Sequence, residues 1–213
     1  MTRLARLLVG SVILVGLTQV ASAGVIQIQL GGVDVRYDGT DLVDNGAADP
    51  DLLTNATFIV NDVPWGVDDT GVTLDLHIPG VFNIPVGGGQ VNSAINGSLD
   101  LDLGDGEFLS LTLDSATVSY IPLTSTIAFV FAGASSSISG QQLPYGLSLV
   151  NPVSISFSTQ ITEPVSESGD YVTAFVSAGT GEIQGVPEPA TLALLAIGGL
   201  AIIRRRRAEA RSS

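Results

Sequence analysis

The chain has 213 residues, 45% apolar and 14% charged, enough to bury the core of one sizeable domain and too apolar for a disordered acidic tail. Cysteine is absent, which excludes a disulfide framework, a thiolate metal site and a cysteine nucleophile. The formal charge is −13, but between Gly24 and Gly185 nineteen acids face the single base Arg36, so this stretch carries about −18 and repels nucleic acid.

The first predicted element is an export signal. Arg3 and Arg6 form a positive start, Leu7 to Leu17 is an apolar run, and Ala21-Ser22-Ala23 offers a small-x-small cleavage site. Residues 1–23 are therefore expected to be removed, with Ala21 and Ala23 marking the cut and Gly24 as the new N-terminus.

The body, 24–185, repeats with a period of two. Ile26, Ile28 and Leu30 alternate with glutamines. Val72, Leu74, Leu76 and Ile78 form a second set, and Leu99, Leu101 and Leu103 a third. Ile127, Phe129 and Phe131 follow, then Ile155, Phe157 and Ile161. Gly104-Asp105-Gly106-Glu107 reads as a hairpin turn, since these glycines accept positive φ. Beyond Asp114 the phase shifts to Val118 and Tyr120, which predicts a bulge or a strand changing sheets. Further breaks fall at Asp44-Asn45-Gly46, Asp68 to Gly71, Pro85 to Gly89 and Glu163 to Gly169. Short one-sided strands of this kind predict an all-β, antiparallel, jelly-roll-like β-sandwich, with a closed barrel as the runner-up.

The last element is a tail, 186–213. Pro187-Glu188-Pro189 precedes an apolar stretch, Ala190 to Ile203, and then Arg204, Arg205, Arg206 and Arg207. As a helix that stretch spans about 21 Å, short of a hydrocarbon core of about 30 Å. Pro189 suits a first helical turn, and the arginines can snorkel to headgroups and hold the C-terminus in the cytoplasm. A short transmembrane helix is the expectation.

These residues, from Val186-Pro187-Glu188-Pro189 through Gly198-Gly199 to the arginine block, resemble the PEP-CTERM sorting domain of Gram-negative bacteria. The resemblance implies that Pro187, Glu188 and Pro189 are read by a membrane processing enzyme, an exosortase. It also implies that Arg204 to Arg207 stop transfer, and that the inner-membrane-anchored precursor is passed to the cell surface or extracellular matrix. Ala190 stands where many members have serine. The resemblance covers the tail and leaves the body open.

Candidate chemistry in the body is sparse. His77 shares a polar strand face with Asp75 and Thr73, but no Gly-x-Ser-x-Gly elbow accompanies it, and a solvated histidine is the ordinary reading. Asp100, Asp102, Asp105 and Glu107 form one acidic group; Asp38, Asp41, Asp44, Asp49 and Asp51 form another. Calcium at either group stays open beside solvated turn carboxylates, and no metal, cofactor or catalytic residue is assigned. Trp65 is either a core plug, the commoner case, or an exposed stacking platform. The expectation is thus an exported, non-enzymatic surface or matrix protein, exopolysaccharide being a candidate partner and nucleic acid none. The alternative is a carbohydrate-binding or calcium-dependent adhesion module.

Overall fold

The computed structural model describes residues 24–45, 51–68, 70–122, 126–130 and 136–187. The predicted signal peptide and the transmembrane helix of the tail lie outside them. Among the described residues no helix is long and apolar enough to cross a membrane.

Fifteen strands occur among these residues. In chain order they are β1 (Ile26–Tyr37), β2 (Leu42–Asp44), β3 (Asp51–Leu52), β4 (Asn55–Val60) and β5 (Val63–Asp68). Next come β6 (Thr73–Ile78), β7 (Gly89–Asn92), β8 (Gly97–Gly104), β9 (Glu107–Leu113) and β10 (Thr117–Ile121). The last are β11 (Thr126–Val130), β12 (Ser137–Gln142), β13 (Leu149–Ile161), β14 (Ser166–Ser168) and β15 (Tyr171–Pro187).

The alternation seen in the sequence is the alternation of burial. Ile26, Ile28 and Leu30 of β1 point inward, as do Leu74, Leu76 and Ile78 of β6 and Leu99, Leu101 and Leu103 of β8. They join Phe58, Phe157, Ile155 and Ile183 in one continuous core. Each fully buried side chain of this size contributes about 1.5–3 kcal/mol, so the inward set alone outweighs any surface pairing. Tyr37 is the polar exception: its ring lies 5.3 Å from that of Phe175, and its hydroxyl donates to the Val81 carbonyl at 2.7 Å. The Asp105-Gly106 hairpin joins β8 to β9 as expected, with Leu99 opposite Leu111 and Leu101 opposite Leu109. The phase shift after Asp114 is a change of partner. While β9 pairs with β8 and β12, β10 pairs with β7 and β11 and buries Val118 and Tyr120.

The all-β, antiparallel expectation is met, but the finer picture of two opposed jelly-roll sheets is not what the pairing forms. Hydrogen bonds run through one curled sheet in the order β12-β9-β8-β6-β2-β1-β15-β13-β11-β10-β7. The long strands cause the curl. On one edge β1 pairs with β4 over its first half and with β2 over its last residues; a bulge at Gly31–Val33, with Gly32 at φ +77°, separates the two halves. Such a bulge increases local twist and lets one strand serve two neighbours. The curl brings β12 back to β13. There Val153 N–H donates to the Ser136 carbonyl at 3.4 Å and Ile138 N–H to Asn151 Oδ1 at 2.8 Å. Trp65 also departs from the commoner expectation: it is 53% exposed on β5, and Phe58 fills the core beside it.

Candidate functional site

The tail motif begins inside the folded body. The sequence boundary was drawn after Gly185, but β15 continues through Val186 and Pro187, opposite Val150 and Leu149 of β13. The first proline of the triad is therefore the last residue of the domain's longest strand. Glu188, Pro189 and Arg204 to Arg207 lie outside the described residues, as do Ala21 and Ala23. Gly24 precedes β1, whose Ile26 sits opposite Gly185. Gly24 and Pro187 thus lie at the same end of the β1–β15 pair.

Five of the nine acidic residues singled out, Asp38, Asp41, Asp44, Asp51 and Asp102, accept backbone amides. Asp38 Oδ1 accepts from the backbone of Thr40 and Asp41 (both 2.9 Å) and from Thr40 Oγ1 (2.8 Å), and these bonds, the Asp41 amide first, hold its carboxyl below the usual range. Asp41 takes the Gly80 amide at 2.8 Å on one oxygen and faces His77 Nε2 at 3.3 Å on the other. Asp44 accepts from Leu76 N–H at 3.2 Å, and Asp51 from Asp34 N–H at 3.0 Å. Asp49 lies outside the described residues. In the second group, Asp102 accepts from Gly104 N–H at 2.9 Å and Asp105 holds the turn at φ 51°. Among the described residues no three ligating side chains converge to hold a metal ion. His77 sits at a partly exposed pair with Asp41 rather than with Asp75, a cross-strand link that sequence spacing could not give.

Asp51 is the buried member, 4% exposed. Burial pushes its carboxyl up, and the charges of Asp34 and Asp44 push the same way, while the Asp34 amide opposes them. A raised folded-state pKa means the folded chain holds the proton more tightly than the unfolded one. Stability from this group is therefore present at low pH and lost as pH rises through the carboxylate range. Asp51→Asn keeps an acceptor for Asp34 N–H and removes the charge. It is expected to raise Tm at pH 7 by about 2–4 °C, the effect of about 1 kcal/mol in a domain this size, with the gain vanishing toward pH 3. Melting curves of both proteins across that range check it; a gain equal at both pH values would refute the assignment.

A second feature escaped the sequence reading. The outward face of β4, β1, β15 and β13 carries an open groove of about 550 Å³ between Asn55 and Thr57 on one side and Ser156 and Ser158 on the other. Its residues come from four separate strands, and only the glycine at position 31, in an otherwise regular alternation, hints at it. No curated protein and no solved structure shows significant similarity to the chain. A protein-family model, described as the PEP-CTERM protein-sorting motif, matches residues 185–207. The match begins within β15, spans the proline–glutamate–proline triad and ends on the arginine block. The tail of this chain is thus a PEP-CTERM protein-sorting motif, which implies an exported precursor processed by an exosortase.

Proposed function

We propose that the chain is a non-enzymatic protein of the cell surface or extracellular matrix, held at the inner membrane by its tail and displayed as an acidic β-domain after processing at Pro187-Glu188-Pro189. The observation that carries the sorting half is the family match over 185–207. The non-enzymatic half is supported by how the carboxylates are used: Asp38, Asp41, Asp44, Asp51 and Asp102 each accept from backbone amides that shape turns and strand ends. Calcium-dependent adhesion, the rival use of those carboxylates, would have to compete with these bonds.

Replacing Pro187, Glu188 and Pro189 together by alanine is expected to leave the body's stability within about 0.5 kcal/mol, as for a change at the end of a strand. In its own cells the variant should accumulate in the membrane fraction with its tail intact, seen by mass spectrometry of the C-terminus. Normal tail removal in that variant would defeat the proposal.

A further inference from the structure

We propose that the outward face of β4, β1, β15 and β13 is a binding site for a neutral polysaccharide, centred on the groove at Gly31. Three successive cross-strand rows build the face. Gln27 lies opposite Gln184, which lies opposite Ser154. One step along, Thr57, Gln29, Glu182 and Ser156 stand side by side. In the third row Asn55, Gly31, Thr180 and Ser158 follow. Residues between these on each strand (Ile28, Leu30, Phe58, Phe157 and Ile183) are buried, so alternation sends every member of the rows outward. Gly31 has no side chain in the third row, and the Asn55 amide leans over its place.

The lining is chemically unusual for so acidic a domain. Its polar side chains are amides and hydroxyls with Glu182 as their one charge, set around Leu30 and Phe157. Among the described residues the side chains of Gln29, Thr57, Asn55, Thr180, Ser156 and Ser158 make no hydrogen bond to the protein; those that do on this face are Gln27, Nε2 to Glu182 Oε1 at 3.4 Å, and Ser154, Oγ to the Gln184 carbonyl at 3.4 Å. Donors and acceptors are therefore presented together, spaced by about 4.8 Å from strand to strand. A polymer of hydroxylated rings offers both kinds of partner in several directions at once.

The alternatives fit less well. A peptide adding as a strand needs a free backbone edge, and these four strands are paired on both sides here. A polyanion meets a body of about −18 and is repelled. The groove itself holds one charge, Glu182, among amides and hydroxyls, which suits an uncharged ligand recognised by side chains. The inference deepens the surface reading above, on which it rests only for the place where such a polymer is met.

Affinity electrophoresis of the full chain in mild detergent tests it, with gels containing mixed-linkage glucan, galactomannan, dextran or the polyuronate alginate. Retardation is expected in at least one neutral polymer and not in alginate. A Gln29→Ala/Thr180→Ala double variant should lose at least tenfold in affinity. Gly31→Val should lose as much, since its Cβ falls 2.8 Å from Oδ1 of the movable Asn55 amide and displaces that lining group. Melting curves of both variants should match the parent, so that lost binding is not lost folding. Migration unchanged in all three neutral polymers, equal retardation by alginate, or full retention by either variant would overturn the proposal. Failed binding with normal tail processing sinks this inference alone; failed processing with intact binding sinks the sorting reading alone.

Discussion

Gly179→Ala is expected to destabilise the domain by about 3 kcal/mol or more, lowering Tm by about 6–12 °C, although it adds a single methyl group. Gly179 lies in β15 between Val33 of β1 and Thr159 of β13. A Cβ there runs into the carbonyl oxygen of Ser158 and comes within 2.7 Å of the Thr159 Cα. Both are backbone atoms of a paired strand, so neither can swing aside as a side chain would. Relief requires moving β13 away from β15 and opening the core over Ile155 and Phe157. Gly87→Ala is the control: nothing lies within 4 Å of its Cβ position. That change should be neutral or slightly stabilising, because alanine has less freedom to lose on folding. Parallel thermal melts decide the matter, and equal Tm values for the two variants would show that β13 yields.

These two glycines mark where the sequence stops being readable. Period-two alternation is local, so Ile26 to Leu30, Leu74 to Ile78 and Leu99 to Leu103 announce their strands and their buried faces without help. Turn chemistry is local too, and Gly104 to Glu107 reverse the chain where their residue types require it. Partner choice is not local. β1 pairs with β15 from the other end of the domain, and nothing in either segment names the other. The continuous curled sheet follows from that pairing and from the Gly31–Val33 bulge, neither of which local alternation announces. The acidic groups were visible as charge but not as caps, because Asp41 reaches Gly80 and Asp44 reaches Leu76 across strands. Trp65 was weighed by its size, whereas its exposure is set by β5 lying at an edge, paired among the described residues only with β4. The sorting motif was legible for the opposite reason: it is a linear string, matched over residues 185–207. The polar groove was not, since its chemistry exists only once four strands stand side by side.

Where the sheet returns onto itself, one side chain makes two of the hydrogen bonds across the seam, and removing it is the second large effect. Gln141 of β12 donates through Nε2 to the Leu149 carbonyl at 2.8 Å and accepts at Oε1 from the Leu149 amide at 2.9 Å. Its carboxamide supplies the donor and acceptor that a neighbouring strand's peptide would supply. Leu149 is 1% exposed, so without that amide its N–H and C=O must find water or go unpaired, at about 1–3 kcal/mol for each group left unsatisfied. Gln141→Ala is expected to cost about 2–3 kcal/mol, a fall of about 4–12 °C in Tm, with faster hydrogen exchange at the Leu149 amide. Gln141→Glu separates the two bonds. An ionised carboxylate still accepts from Leu149 N–H but cannot donate to its carbonyl, which leaves two oxygens facing each other. Protonation at low pH restores the donor, so this variant should be weak at neutral pH and recover relative to the parent as the carboxyl protonates. If Gln141→Ala instead melts with the parent and exchanges no faster at Leu149, the seam is held by the packing of Leu149 and Val153 and by the Ser136 and Asn151 bonds, and the amide is dispensable.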